Sequence, residues 1–143
     1  GVKYMADVWD LDLSTPGGEK WIERSVDGGP GPRRGHVAAY DAQNKRIVFF
    51  GGYDGKAHYD DTWYLNIALP GKESWQPVSV NGILPAKRRS HTGIYDPVGQ
   101  RMIIYGGRGE GFPLPFYNDY WELTLPSSGE STWKEIKPQE VNQ

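Results

Sequence analysis

No cysteine occurs in the 143 residues. That excludes a disulfide framework and a thiolate metal centre; it fits a reducing compartment and is equally compatible with secretion. An excess of charge of either sign is also missing. Sixteen Lys and Arg against eighteen Asp and Glu leave a net charge of -2, without the basic footprint that nucleic acid demands. No apolar stretch approaches the length of a membrane span. No charged-then-apolar leader opens the chain, so an export signal, if the protein has one, lies outside these residues. A helical period of useful length is missing throughout.

What is present points to strands and turns. Gly (19) and Pro (11) make up about a fifth of the chain, just under the level that signals disorder, and they fall at regular places between apolar runs. Aromatics at 13%, together with β-branched runs, favour strands. The length suffices for one domain with a real core.

The organising unit spans residues 33–75. Arg33-Arg34-Gly35-His36 is followed by the apolar run Ile47-Val48-Phe49-Phe50, by Gly51-Gly52, by Asp61-Thr62-Trp63-Tyr64-Leu65 and by Trp75. The order returns as Arg88-Arg89-Ser90-His91, Met102-Ile103-Ile104-Tyr105, Gly106-Gly107, Asp119-Tyr120-Trp121-Glu122-Leu123 and Trp133. A truncated copy opens the chain, with Asp7-Val8-Trp9-Asp10-Leu11 and then Trp21. All six tryptophans fall into pairs twelve residues apart: Trp9/Trp21, Trp63/Trp75 and Trp121/Trp133.

Strands follow from alternation and turn chemistry. Residues 7–13 and a short strand from Trp21 flank the turn Ser14-Thr15-Pro16-Gly17-Gly18, which reads as a hairpin. Residues 28–32, Gly-Gly-Pro-Gly-Pro, block regular structure. Four strands then follow in each full repeat. In the first they cover residues 36–40, 46–50, 61–67 and 75–80. In the second they cover 92–95, 101–105, 119–125 and 133–136. Four short antiparallel strands at a period near fifty are the signature of a propeller blade.

At these residues the chain resembles the kelch repeat family. The marks are Arg33/His36, Gly51-Gly52, Asp61/Trp63/Leu65 and Trp75, with their second copies Arg88/His91, Gly106-Gly107, Asp119/Trp121/Leu123 and Trp133. The resemblance implies an all-β fold: a kelch-like β-propeller segment with two complete four-stranded blades and the outer half of a third. Residues 1–26 form the partial blade, 27–80 and 81–143 the complete ones, all in one propeller domain. The tryptophans are expected between neighbouring blades. A propeller closes at about 4–8 blades, so further blades come from the same longer chain or from other copies. Because the chain has three outer strand pairs but two inner pairs, simple copies leave some blades incomplete, and the longer-chain reading is preferred.

Loop lengths choose a face. With strands a to d in each blade, the a–b and c–d turns are short. The b–c loops (residues 53–60 and 108–118) and the d–a loops (27–32 and 81–87) are long and share one face of the disc. Long loops on a rigid scaffold carry binding. Tyr53, His58 and Tyr59 crowd the first b–c loop; Arg108, Glu110, Phe112, Leu114, Phe116 and Tyr117 crowd the second. Aromatics and Arg are the residue types of interface hot spots, although the segment from Phe112 to Phe116 is equally readable as packing over the blade.

Arg33 and Arg88 read as structural members of the repeat that bond neighbouring loop backbone. Arg34 and Arg89 are open to a second use, bidentate capture of a carboxylate or phosphate near the channel mouth. His36 and His91 read as structural residues hydrogen-bonded to an adjacent loop. Asp61, like Asp7 and Asp119, reads as a strand-entry hydrogen-bonding group rather than half of an acid pair with Asp60. Asp54 and His58 resemble two ligands of the iron site of plant kelch specifier proteins, but Phe50 stands at the third, so no metal is expected. Galactose oxidase shares the propeller type, and its resemblance implies copper with a Tyr–Cys crosslink, for which this chain has neither Cys nor cluster. No catalytic grouping and no cofactor motif stands out. The expected function is therefore recognition of a protein or peptide through the b–c and d–a loop face, with no nucleic-acid or membrane partner. Two alternatives stand: a carbohydrate-active propeller enzyme with catalytic groups on other blades, and a self-assembling structural repeat.

Overall fold

The computed structural model describes residues 3–137, which contain strands and no helix. An N-terminal hairpin pairs β1 (Val8–Asp12) with β2 (Lys20–Arg24). A four-stranded sheet follows in the order β3 (Val37–Asp41), β4 (Arg46–Tyr53), β5 (His58–Asn66), β6 (Ser74–Pro77). The second sheet has β8 (Thr92–Asp96), β9 (Arg101–Tyr105), β10 (Tyr120–Thr124) and β11 (Ser131–Ile136) in the same antiparallel succession. These are two blades and the outer pair of a third.

One strand departs from expectation. The fourth strand of the first sheet stops at Pro77, although the Val78 amide still donates to the Thr62 carbonyl (3.0 Å). The chain then crosses, and β7 (Val80–Asn81) pairs in parallel with Ser131 and Thr132 of β11. The connection between sheets is thus the fifth strand of the next sheet.

The core lies between the two full sheets, because alternation sends β-strand neighbours to opposite faces. Val48, Phe50 and Tyr64 of the first sheet meet Met102, Ile104, Trp121, Leu123, Leu125 and Trp133 of the second. Phe50 packs on the Trp133 indole at 4.7 Å between ring centres. The polar atoms there are satisfied: Trp133 Nε1 donates to Thr62 Oγ1 (3.3 Å), and Tyr64 OH shares a hydrogen bond with Ser131 Oγ (2.7 Å). Trp121 and Trp133 therefore sit between blades, whereas Trp9 and Trp21 on the hairpin are exposed.

The double glycines answer to close approach. Gly51 and Gly52 have φ of 69° and 108°, the left-handed region that other residues enter at a cost. A Cβ on Gly51 would stand 2.8 Å from the Arg88 carbonyl oxygen. The next sheet comes that near because the Gly52 amide donates to the same carbonyl at 2.9 Å.

Candidate functional site

Each repeat builds an arginine clamp. Arg33 Nη1 donates to the Gly51 carbonyl (3.1 Å) and to Asp61 Oδ1 (2.6 Å), and its Nη2 donates to Asp61 Oδ2 (3.1 Å) and the Pro30 carbonyl. Arg88 does the same with Gly106 (2.9 Å) and Asp119 (2.7 and 2.8 Å). The aspartate also accepts from the indole two residues on, in all three units: Trp9 to Asp7 (2.6 Å), Trp63 to Asp61 (2.7 Å) and Trp121 to Asp119 (2.6 Å). Burial alone would push the Asp119 carboxyl up, but the bonds from Arg88 and Trp121 outweigh it and hold it below its ordinary value. Tyr59 and Tyr117 cover these clamps, with the Arg33 guanidinium 4.1 Å and that of Arg88 4.4 Å from the ring centres. Two candidates from the b–c loops thus lie on the clamp, and Tyr59 OH also donates to Asp54 (2.8 Å).

The neighbouring arginines form a different group. Arg34 exchanges both backbone hydrogen bonds with Tyr53 (3.0 and 2.9 Å), and Arg89 does so with Arg108 (2.9 and 3.0 Å). These bridges fix the d–a loops against the ends of β4 and β9. The side chains converge on Tyr53: the Arg89 guanidinium lies 4.5 Å from its ring centre, that of Arg34 5.9 Å, and the His58 ring 4.7 Å. Arg89 Nε donates to His58 Nε2 (3.1 Å), and the His58 amide donates to Glu110 Oε1 (3.0 Å). Accepting at Nε2 places the His58 proton on Nδ1, which is buried without a partner. Burial, and then the Arg89 charge, lower the His58 pKa and keep the ring neutral. Tyr4, which nothing in the repeat pattern marks, stands edge-on to Tyr53 at 6.5 Å and lies 5.4 Å from the Arg34 guanidinium.

Charge pairing separates this cluster from the rest of the chain. Arg24, Arg33, Arg46, Arg88 and Arg101 each pair with a carboxylate. Among the described residues, Arg34, Arg89 and Arg108 form no such pair, and Arg108 Nε is buried without any partner. Beside Arg108 opens a cleft of about 460 Å³ lined by Ser90, Thr92, Tyr105, Phe116 and Tyr117. Phe112 and Phe116 point into solvent at the rim. Asp54 accepts from the Lys56 and Ala57 amides (2.7 and 2.8 Å). Those two bonds, the Ala57 amide first, and the Tyr59 hydroxyl bring its pKa to about 2. Its oxygens are committed to its own loop and His58 Nε2 to Arg89, so the two do not form a ligand pair.

The two histidines of the repeat are held differently from expectation. Neither ring nitrogen of His91 has a hydrogen-bond partner of normal geometry. The ring packs edge-on against Phe50 at 5.5 Å. His36 Nδ1 is likewise unpartnered, and its ring lies 5.4 Å from Phe49. Both rings lie against an aromatic side chain, Phe49 for His36 and Phe50 for His91. Burial first, then the Arg88 charge, depress the His91 pKa to about 4.

The sheets, their register and the repeated Arg–Asp–Trp clamp define an all-β kelch-type propeller segment. The chain matches the KLHDC2/KLHL20/DRC7 Kelch-repeats domain over residues 1–143 and belongs to that family. Domains of this kind are typically protein-binding propellers. Relatives include the dynein alpha chain of the flagellar outer arm of Chlamydomonas reinhardtii, 34% identical over 91% of this chain and 3% of that protein. An F-box/kelch-repeat protein of Arabidopsis thaliana is 29% identical over 80% of this chain and 28% of its own length. The host cell factor homolog hcf-1 of Caenorhabditis elegans is 30% identical over 94% of this chain and 18% of its own. The chain therefore spans less than a third of the length of each of these relatives.

Proposed function

We propose that this chain is the recognition segment of a longer kelch propeller and binds an acidic protein or peptide segment on the b–c and d–a loop face. Residues 1–26, 27–80 and 81–143 serve as three successive units of one ring. The observation that carries the reading is a pair of guanidinium groups without a carboxylate partner, Arg34 and Arg89, gathered on the Tyr53 ring, with Arg108, likewise without one, joined to Arg89 through the backbone. A guanidinium is always charged and offers a planar fork of donors, so unpaired ones are matched to a carboxylate or phosphate. Phe112 and Phe116 at the rim supply the apolar contact of a hot spot. The Tyr53 ring holds the Arg89 guanidinium in place by cation–π contact, which reduces the ordering cost on binding.

The test is titration of peptides containing one to three Glu or Asp residues, drawn from an array screen, onto the wild-type chain and onto Arg34→Ala plus Arg89→Ala. Binding that weakens by about tenfold or more, the step of one lost charge-assisted contact, without a fall in melting temperature, supports the reading. Unchanged affinity with both arginines replaced overturns it.

A further inference from the structure

Asn81-Gly82 is the one asparagine–glycine pair in the chain. Asn81 ends β7 where the crossover reaches the second sheet, and Gly82 begins a bend with φ of 91°. Both residues are exposed, as is Ile83 beyond them. The backbone nitrogen after an asparagine can attack the side-chain amide carbon and close a five-membered ring. Glycine favours that step, because no Cβ shields its nitrogen and its backbone turns freely. Among the described residues, the other asparagines lack these conditions. Asn44 precedes Lys45, and its Nδ2 donates to Asp41 and to the Leu125 carbonyl (2.8 and 3.3 Å). Asn66 precedes the β-branched Ile67, and Asn118 precedes Asp119, which is fixed in the Arg88 clamp. The aspartates Asp27 and Asp54 also stand before glycine, but they carry no amine to leave.

The surroundings set what the reaction changes. Asn81 Nδ2 donates to Glu130 Oε2, just before β11 begins. A carboxylate at residue 81 cannot donate, and it would face Glu130 as a like charge across the strand pair, which is destabilising. In the isomer whose backbone runs on through the side-chain carbon, the chain is also longer by one atom. β7 holds to β11 by two residue pairs, Val80 with Ser131 and Asn81 with Thr132, so neither change can be spread along a longer ladder. The core between the sheets rests instead on Phe50, Trp133 and their neighbours.

We infer that Asn81 is a self-modification site, deamidating through Gly82, and that the product releases β7 from β11 while the core between the sheets stays intact. In the first step the Gly82 nitrogen, its proton taken by solvent base, bonds to Asn81 Cγ. The Cγ–Nδ2 bond breaks, and Nδ2 takes up a proton and leaves as ammonia, giving a succinimide. Water then adds at either carbonyl of the ring and breaks one C–N bond. The released nitrogen regains its proton, and residue 81 becomes aspartate or isoaspartate. The reaction needs no oxidant, enzyme or cofactor. Because the ammonia is lost to solvent, the change is one-way: β7 is paired in a new chain and released in an aged one.

Ageing the purified chain at mildly alkaline pH, followed by peptide mapping with mass spectrometry, tests the site. The peptide holding residue 81 is expected to show the mass shift of an amide turned to an acid, split between aspartate and isoaspartate, before Asn44, Asn66 or Asn118 changes. The variant Asn81→Gln, which would have to close a larger ring, is expected to keep its original mass. A free peptide of residues 78–86 marks the rate of the unconstrained reaction under the same conditions. An intact Asn81 in the folded chain after that peptide has converted overturns the site. Hydrogen exchange in Asn81→Asp tests the consequence. Loss of protection at Val80, Asn81, Ser131 and Thr132, with protection kept at Met102 and Ile104 and regained on the strands when Glu130→Gln is added, supports the inference. Unchanged protection on the strands, loss that spreads to Met102 and Ile104, or loss that Glu130→Gln leaves in place overturns it.

Discussion

Replacing Asp119 by Ala should be among the most damaging single changes to stability in this chain. Arg88 is fully buried, and its charge is compensated by the two Asp119 oxygens, with the Gly106 and Ala86 carbonyls accepting from two more of its five N–H groups. Removing the carboxylate leaves an uncompensated buried cation, which costs about 3–5 kcal/mol, and also strips Trp121 Nε1 of its acceptor. For a chain of this size that corresponds to a melting temperature lower by about 10 °C or more. The matching change Asp61→Ala supplies an internal control. The Asp61 side chain is 34% exposed against 22% for Asp119, and Arg33 borders the open cleft beside the hairpin. The Arg33 side chain is 7% exposed against 0% for Arg88, and loss of the Asp61 carboxylate would admit water from that cleft, which limits the expected cost to about 1–2 kcal/mol. The double change Arg88→Met plus Asp119→Leu, which removes both charges, should recover most of the loss. Urea unfolding monitored by tryptophan fluorescence measures all three. Equal costs for Asp61→Ala and Asp119→Ala, or no recovery in the double variant, would refute the assignment of Arg88 as a buried, compensated charge.

Acid should destabilise the chain before its carboxylates titrate. The folded His91 pKa of about 4 lies below the ordinary 6.5. The stability it contributes is therefore complete above pH 6.5 and is lost as pH falls from there toward 4, by about 3 kcal/mol in all; His91→Gln should flatten urea midpoints measured across that window. Trp133→Ala should cost about 3–5 kcal/mol, because it opens a cavity beside Phe50 and frees Thr62, whereas exposed Trp21→Ala should cost under about 1 kcal/mol in the same assay. Gly109→Ala should displace the Tyr117 ring, whose hydroxyl occupies the space of the new Cβ, and expose Arg88, read as faster hydrogen exchange at the Arg88 and Gly106 amides.

The strands, their order and the clamp residues were legible because each rests on short-range chemistry: alternation, turn residues and a spacing that repeats. The site was legible in part. Arg34, Arg89, Tyr53 and His58 came from the loops that length singled out, and these four side chains touch one another, while Arg108 pairs with Arg89 through the backbone. Tyr59 and Tyr117 share that loop composition, yet they sit on the clamps; their equal positions before Asp61 and Asp119 carried that signal. Tyr4 and Glu110 joined through contacts between distant segments, which no local pattern encodes. The aromatic neighbours of His36 and His91 were missed for a related reason: a histidine recurring at a loop entry reads as a bonding group until the aromatic side chain beside it is known. The parallel pairing of Val80–Asn81 depends on where the next sheet comes to rest, fifty residues later in the chain.

That pairing also makes the joint between the two sheets a mechanical element. Tension along the chain from Pro77 toward Arg88 loads β7 and β11 in shear along their shared axis, so neighbouring hydrogen bonds are strained together rather than peeled singly. The first sheet is thereby tethered to the edge of the second by backbone as well as by packed side chains. During synthesis β7 leaves the ribosome before its partner exists. The joint locks only when β11 arrives, which makes completion of the second unit the event that fixes the first in place.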